Sequence, residues 1–358
     1  MRTEAPSPAD SPALWSRCYF SWRTALPVVV AAISLSLSLA HGPANAVPWR
    51  REAPSPVSEA VTALLAAHGA KERPTALVVV RGDRLLAVWG EPARRVNVRS
   101  IRKSLLSDLY GQAVAEGRIR LDASLADLGI DDRPPRLSDE EKRATVRDLL
   151  MARSGVFHPA AYETADMRSK RPPRGSRPPG TFWYYNNWDF NALGTIWERT
   201  TGEDVFAAFA QRIAEPIGME DFTTADGRRV AEAASDHPAR VFAMSARDLA
   251  RFGRLHLDRG RWDGHPVVPE AWIVEATTAH STTDRGHMGY GSLWWTLQRD
   301  FGPGAHLASG YGGQAVAVLP AKRLVVVETV DLSGRAQGIR TSVFLELVRR
   351  IAQATPDP

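Results

Sequence analysis

Ser100 and Lys103, in the stretch "VRSIRKSLL", are two residues whose types and spacing could do chemistry together. A serine hydroxyl becomes a nucleophile when a base removes its proton, and arginine cannot be that base because it stays protonated. A lysine can. Three positions apart on a helix, the two side chains share a face, so the Lys103 amine can reach the Ser100 oxygen. The same pattern also fits a helix-capping serine followed by a solvated lysine.

A second candidate element is "PPGTFWYYNNWDFNALG", which contains Tyr185 and Asn187. A tyrosine near the nucleophile can carry a proton to the leaving group, and an amide can orient the lysine or the substrate carbonyl. The alternative is that the aromatic residues here form a plug in the hydrophobic core. That cluster comprises Phe182, Trp183, Tyr184, Tyr185 and Trp188.

The third element is "HLASGYGGQAVAVLP", with Ser309 and Gly310 followed by Tyr311. A glycine at the edge of a strand lets the backbone approach a ligand, and the next backbone N–H can bind an oxyanion. The alternative is an ordinary glycine-rich turn. His306 lies two residues early for a cation in this element, although an opposite register of the strand would bring it into the site.

These motifs together resemble those of the class C β-lactamase-like serine hydrolases, most closely their esterase and amide-hydrolase branch, which includes the aminohexanoate-dimer hydrolases. The resemblance runs over residues 74–354. It also rests on "LLMARSG" (149–155), "EPIGMEDF" (215–222), "SARDLARFG" (245–253) and "ASGYGGQ" (308–314).

The resemblance implies a role for each motif residue. Ser100 would be the acylated nucleophile, Lys103 its base and Tyr185 the proton shuttle. The N–H groups of Ser100 and Tyr311 would form the oxyanion hole. The substrate-binding residues would be Asn187, Ser309, Gly310 and Tyr311, and neither a metal nor a cofactor is implied.

One departure from the family pattern concerns Ala308, which stands where β-lactamases and D-alanyl-D-alanine peptidases of this fold have a lysine or histidine. Without that cation, recognition of a substrate carboxylate is weaker, unless nearby arginines substitute. We therefore expect hydrolysis of a small ester or amide. The alternatives are a penicillin-recognising D,D-peptidase or β-lactamase, and a non-catalytic protein that binds a cell-wall ligand in the same cleft.

The elements that must position these residues can be outlined from hydrophobic spacing. We predict helices over 58–69 and 101–116, a hairpin around residues 81–83, strands in "YGSLWWTLQ" and "QAVAVLPAKRLVVVETV", and a closing helix in "TSVFLELVRRIAQ". Residues 122–254 read mainly as helices and loops. The predicted fold class is α+β, with an antiparallel sheet built from both termini, flanking helices and an inserted, mainly helical lobe.

Within that lobe, "DMRSKRPPRGSRPPG" (166–180) is rich in proline and cations and is predicted to be a loop. Its composition fits two interpretations equally well: a solvated surface loop, or a loop that lines a substrate entrance.

The composition describes a globular protein with 44% hydrophobic residues, a net charge of +5 and a pI near 9.5. The arginines are scattered and no nucleic-acid motif appears, so nucleic acid is not an expected partner. The first 46 residues read as a signal peptide, because basic residues precede an apolar run and Ala44-Asn45-Ala46. We expect a periplasmic or secreted protein whose domain spans 47–358. An uncleaved membrane anchor is the alternative.

Overall fold

The structure is a computed structural model, and it describes residues 49–286, 288–335 and 337–357. The predicted signal peptide lies outside the described residues. The strands are β1 (Arg50–Arg51), β2 (Ala76–Arg81), β3 (Arg84–Gly90), β4 (Val96–Asn97), β5 (Gly227–Glu232), β6 (Ser235–Met244), β7 (Arg261–Trp262), β8 (His265–Pro266), β9 (Ser281–Thr282), β10 (Gly289–Tyr290), β11 (Trp295–Thr296), β12 (His306–Gly310), β13 (Gln314–Leu319) and β14 (Leu324–Thr329).

The α-helices of the described chain are α1 (Pro56–Glu72), α2 (Ile101–Ala115), α3 (Val146–Leu150), α4 (Ala165–Lys170), α5 (Asn187–Thr201), α6 (Val205–Phe209), α7 (Ala246–Leu257), α8 (Glu270–Ala276) and α9 (Thr341–Ala354). None of the described helices is long and apolar enough to cross a membrane.

The main sheet has nine strands in the order β1-β3-β2-β14-β13-β12-β11-β10-β9. All neighbours are antiparallel except β1, which pairs parallel to β3. Since β14 lies between β2 and β13, the two ends of the chain meet in the middle of the sheet. The predicted α+β fold, with a sheet assembled from both termini, is confirmed.

Helices cover both faces of this sheet, which is why its central strands are almost continuously apolar. On one face, α1 and α9 pack together, and Gly69 of α1 lies against the ring of Trp89. On the other face, Gly253 of α7 lies against the methyl groups of Val316 and Val325. The resulting three layers bury "ALVVVR" in β2 and "LVVVET" in β14.

Helix α2 runs through the interior, where residues from Ile101 to Ala113 are buried. Its hydroxyl side chains donate to backbone carbonyls of neighbouring segments: Ser104 to Leu293 at 2.9 Å and Ser107 to Ser292 at 2.7 Å. Because buried polar groups require partners, these bonds fix the helix in its position. The residue before its first turn is Ser100, so the candidate nucleophile is held by an immobile element.

Two details differ from the sequence prediction. Residues 122–254 contain the hairpin of β5 and β6, and β6 also pairs with β4 in a separate three-stranded sheet. Helix α7, which begins at Ala246, packs on the main sheet and so does not belong to a separate helical lobe. The predicted strand in "YGSLWWTLQ" is confirmed only in part, because that segment holds the end of β10 and the whole of β11 with a turn between them.

Candidate active site

The amine of Lys103 lies between two hydroxyl groups. Its Nζ atom is 3.0 Å from Oγ of Ser100 and 2.7 Å from the hydroxyl oxygen of Tyr185. The Lys103 side chain is buried, with 2% of its surface exposed. The structure therefore brings together three groups that the sequence predicted to act together, and Lys103 is not a solvated surface lysine.

Ser100 does not act as a helix cap. It occupies the cap position of α2, but its side chain makes no capping hydrogen bond, and its oxygen instead accepts from Lys103. The preceding residue, Arg99, has a left-handed backbone with φ of 53°. This conformation is unfavourable for any residue other than glycine. That turn is braced by Asn97, whose Oδ1 accepts from the Arg99 N–H at 2.9 Å. Ser100 thus projects from a sharp, supported turn.

The electrostatics around Lys103 favour its uncharged form. Burial is the largest cause that holds the pKa of Lys103 well below its usual value, and the charges of Arg102 and Arg285 lower it further. The amine also lies over two aromatic rings, 4.0 Å from the ring centre of Tyr185 and 4.4 Å from that of Phe190. An uncharged amine beside a serine hydroxyl can accept its proton.

Tyr185 is part of an aromatic cluster and of the site at once. Its ring stacks on Trp295 with 5.4 Å between ring centres and contacts Phe190 at 5.0 Å. Burial raises the pKa of Tyr185, opposed by a hydrogen bond to Ser100 and by the charges of Arg102 and Arg285. The phenol therefore keeps its proton at neutral pH and can donate it. The two interpretations of the aromatic segment are compatible, since the plug fixes the position of the phenol.

Asn187, at the start of α5, has a different neighbour from the one the sequence indicated. Its Nδ2 donates to the backbone carbonyl of Tyr162 at 2.7 Å, so this amide anchors the Tyr162 segment instead of Lys103. Its Oδ1 is buried and has no hydrogen-bond partner among the described residues. The predicted contact of Asn187 with substrate stays a prediction.

The third motif lies beside the turn that carries Ser100. A Cβ atom on Gly310 would stand 2.4 Å from the carbonyl oxygen of Val98 and 3.1 Å from Cβ of Arg99. Only glycine allows strand β12 to approach this closely. Ser309 is half-buried one residue earlier, and Tyr311 follows with 65% of its surface exposed. The end of β12 is thus placed next to Ser100, as an oxyanion site requires.

His306 does not supply the cation that this motif lacks at Ala308. It is buried against Trp294 and His256, with ring centres 5.0 and 5.3 Å away. Burial lowers the pKa of His306 to about 3, so the ring is neutral. Ala308 and His306 pair with Val316 and Val318, whose face of the sheet packs under α7. The opposite register of this strand is therefore wrong.

A cavity of about 600 Å³ opens beside Tyr185. One wall is aromatic, formed by Phe182, Trp183 and Tyr184, and Arg285 stands on another side. The basic segment also reaches it, since Asp166, Met167, Lys170 and Pro172 are lining residues. That segment was predicted to be a loop, but its first part is helix α4.

The basic segment is exposed over much of its length, and three of its cations, Lys170, Arg171 and Arg174, have acidic partners. Lys170 lies 2.7 Å from Asp166, and Arg171 pairs with Glu163. The Tyr184 hydroxyl donates to the Met167 carbonyl at 2.8 Å, which ties α4 to the aromatic wall.

Three residues at the site were missed by the sequence analysis: Arg102, Tyr162 and Arg285. The Tyr162 hydroxyl accepts from Asn97 at 3.0 Å and from Arg99 at 2.9 Å, so it braces the turn before Ser100. Arg102 stands between the two motif residues, but consecutive helix positions point about 100° apart, so its burial was not evident from the sequence. Tyr162 and Arg285 stand in segments with no recognisable pattern.

Comparison with known proteins decides the family. A family model described as Beta-lactamase matches residues 57–339, which is most of the chain. The chain belongs to the beta-lactamase family. Its fold is that of the beta-lactamase and transpeptidase-like proteins, and members of this family are serine hydrolases that include esterases and amidases.

Named members of the beta-lactamase family are similar along most of their length. The 6-aminohexanoate-dimer hydrolase of Paenarthrobacter ureafaciens is 24% identical, over 77% of this chain and 78% of that protein. Penicillin-binding protein 4 of Amycolatopsis lactamdurans is 26% identical, over 71% and 76%. A solved family VIII carboxylesterase superposes with a TM-score of 0.62 at 17% identity, covering 85% of this chain and 99% of the other. The proteins similar to this chain thus include one named as an aminohexanoate-dimer hydrolase, one named as a penicillin-binding protein and one named as a carboxylesterase.

Proposed function

We propose that this protein is a serine hydrolase that cleaves a small ester or amide through an acyl-enzyme. The observation that carries the proposal is the placement of the buried Lys103 amine 3.0 Å from the Ser100 hydroxyl and 2.7 Å from the Tyr185 hydroxyl. A nucleophile within hydrogen-bond distance of its base, with the base held by a third group, is the arrangement that nucleophilic catalysis needs.

In the first step, Oγ of Ser100 bonds to the substrate carbonyl carbon while its proton moves to Nζ of Lys103. The carbonyl oxygen becomes an oxyanion, which the backbone N–H groups of Ser100 and Tyr311 would stabilise. As the bond to the leaving group breaks, Tyr185 donates its proton to that group and recovers a proton from Lys103. Water then attacks the acyl carbon and gives one proton to the site. The bond between that carbon and Oγ of Ser100 breaks, Oγ receives the proton, and the carboxylic acid leaves with the other proton of the water.

The preference for a small ester or amide rests on charge. The third motif has Ala308 and a neutral His306, so it offers no cation to the carboxylate that β-lactams and peptidoglycan stems share. The cavity beside Tyr185 has an aromatic wall suited to an apolar acyl or leaving group. Similarity to a 6-aminohexanoate-dimer hydrolase and to a carboxylesterase supports the same substrate class.

A second candidate is a penicillin-recognising D,D-peptidase or β-lactamase. The similarity to penicillin-binding protein 4 favours it, and Arg285 in the cavity could replace the missing cation. Nitrocefin turnover, or a stable adduct with a fluorescent penicillin, would select this function over ester hydrolysis.

The test uses the purified chain from residue 47 onwards. We expect turnover of p-nitrophenyl butyrate and covalent labelling by a fluorescent fluorophosphonate, with the label located at Ser100 by peptide mass spectrometry. In Ser100→Ala both signals should vanish while the circular dichroism spectrum is retained. Undiminished labelling of Ser100→Ala would refute the assignment. Folded wild-type protein that binds a cell-wall fragment but resists every activated ester would indicate the non-catalytic alternative.

We also propose that the protein is exported, because residues 1–46 have the order of a signal peptide. Expression of the full chain in a Gram-negative host, with N-terminal sequencing of the periplasmic fraction, tests this. A chain that retains Met1 in the membrane fraction would instead indicate an anchor.

A further inference from the structure

Arg102 is a buried arginine without an acidic partner. It has 4% of its surface exposed, and its Nη2 donates to the neutral amide oxygen of Asn191 at 3.1 Å. Within the described residues it forms no ion pair. Two other buried arginines differ: Arg251 lies 2.9 Å from Glu220, and Arg240 pairs with Glu198. Among the described residues, Arg240 and Arg251 are therefore each paired with a carboxylate, whereas Arg102 is not.

Keeping such a charge inside a protein is costly. Removing an ion from water is unfavourable by several kcal/mol unless a counter-ion or dense hydrogen bonding replaces the water. Burial lowers the pKa of Arg102 to about 10, which still leaves the guanidinium charged at neutral pH. A folded protein accepts a cost of this kind mainly at functional sites.

The position of Arg102 relates this charge to the candidate base. Arg102 and Lys103 are consecutive on α2, and their side chains reach consecutive residues of α5. The guanidinium bonds Asn191, while the amine lies 4.4 Å from the ring centre of Phe190. Both basic side chains thus extend from α2 to neighbouring residues of α5. Two like charges so close disfavour each other, and lysine loses its proton far more readily than arginine.

We propose that Arg102 is a positioning residue whose buried charge adds to the desolvation of Lys103, so that the amine favours its uncharged form and can take the proton of Ser100. This inference rests on the proposed function and adds to it the source of the lysine's basicity. It also assigns a purpose to a residue that the Ser-x-x-Lys pattern leaves unspecified.

Other groups that face Lys103 do not replace this effect. The Ser100 and Tyr185 hydroxyls are neutral in the resting site, and burial holds the Tyr185 phenol in its protonated form. Arg285, from the segment before β10, is the other cation that lowers the pKa of Lys103. Its side chain is 43% exposed, so solvent and salt screen its charge. The charge of Arg102 is shielded from both.

The chain offers a direct measurement, because it contains five lysines: Lys71, Lys103, Lys142, Lys170 and Lys322. Protein labelled with ¹³C at lysine Cε gives a spectrum with five signals, and Lys103→Arg identifies the one that belongs to Lys103. We would follow this signal against pH in wild type, Arg102→Gln and Arg102→Met. Glutamine keeps a donor for Asn191 without the charge, and methionine serves if glutamine does not fold.

We expect the pKa of Lys103 to rise in Arg102→Gln or Arg102→Met, because both substitutions remove the charge. Arg251→Met, which removes a buried arginine that has an acidic partner, should leave the Lys103 titration unchanged. An unchanged Lys103 pKa in a folded Arg102→Gln or Arg102→Met variant would overturn the proposal.

The second readout is the rate at which a fluorophosphonate labels Ser100. In Arg102→Gln the labelling rate at pH 7 should fall roughly tenfold and recover at higher pH, since a like-charge interaction of this range changes an equilibrium by about that factor. A loss that is equal at every pH indicates structural damage only and contradicts the proposal. The titration does not depend on turnover. A failure of hydrolysis with a shifted Lys103 pKa would therefore sink the proposed function and leave this inference standing.

Discussion

The Nζ atom of Lys103 lies 2.7 Å from the hydroxyl oxygen of Tyr185, a residue 82 positions away in the sequence. Burial lowers the pKa of the amine and raises that of the phenol, so it favours the uncharged form of both groups. This hydrogen bond therefore links a base that favours its unprotonated form to an acid that favours its protonated form. Ser100, 3.0 Å from the same amine, completes a path by which one proton can leave the nucleophile while another reaches the leaving group.

Tyr185→Phe should remove the acid without removing the ring. The stack on Trp295 does not involve the hydroxyl, so we expect a melting temperature within a few degrees of wild type. Loss of proton transfer should reduce kcat on a p-nitroanilide substrate about 10²- to 10⁴-fold. The matched control is Tyr110→Phe, which deletes a buried hydroxyl that donates to the Leu193 carbonyl at 2.7 Å. A Tyr185→Phe rate equal to that of Tyr110→Phe would exclude the phenol from proton transfer.

Lys103→Met should abolish turnover and make the protein more stable. The folded-state pKa of Lys103 is lowered, so the unfolded chain binds this proton more tightly than the folded chain does, and the difference costs stability at pH 7. That penalty shrinks as pH rises towards the unfolded pKa of lysine. Urea denaturation should therefore show a gain of about 1–3 kcal/mol at pH 7 and a smaller gain near pH 10.

Lys103→Arg is the companion variant for this prediction. It should fold but stay inactive, because arginine keeps its proton. Wild-type turnover in Lys103→Arg would remove the lysine from the mechanism. A Lys103→Met protein less stable than wild type at pH 7 would show that the amine contributes net stabilisation.

Gly310→Ala should disturb the turn that carries Ser100. Its new methyl group would stand 2.4 Å from the Val98 carbonyl oxygen, so either strand β12 or that turn must move. We expect a loss of about 1–3 kcal/mol in urea denaturation and at least a tenfold loss in labelling of Ser100. Gly264→Ala is the control: it has φ of +86° but nothing within 4 Å of the added Cβ. It should cost about 1 kcal/mol and leave labelling intact. Equal labelling in both variants would contradict the close approach.

Arg285→Ala should change selectivity between charged and neutral substrates. Arg285 lines the cavity and is the candidate partner for a substrate carboxylate, since Ala308 provides no cation. The ratio of kcat/KM for p-nitrophenyl hemisuccinate to that for p-nitrophenyl butyrate should fall about fivefold, because partly exposed ion pairs contribute about 1 kcal/mol. The effect should weaken in 0.5 M NaCl.

Arg120→Ala removes an exposed arginine outside the cavity and should leave this ratio unchanged. If the ratio of the two kcat/KM values is also unchanged in Arg285→Ala, then Arg285 does not discriminate between charged and neutral substrates.

Local patterns predicted much of the fold. The hairpin of β2 and β3, helix α2 and the strands β13 and β14 were predictable because each carries a short apolar pattern bounded by a turn. The hairpin of β5 and β6 was missed because much of β5 is exposed and charged, and β6 contains Pro238. The break in "YGSLWWTLQ" was missed because buried aromatic residues there give the same apolar signal as a strand.

The sequence by itself determined which chemical groups are present and their local spacing: a hydroxyl and an amine one helical turn apart, a phenol before α5, and a glycine at the end of β12. Only the tertiary structure decided that these groups meet, and that His306 and Asn187 face other partners. It also decided that the pKa of Lys103 is lowered and that the buried Arg102 has no carboxylate partner among the described residues. The physical reason is that a pKa depends on desolvation and on charges summed over segments that are distant in the chain, and no local pattern contains that sum.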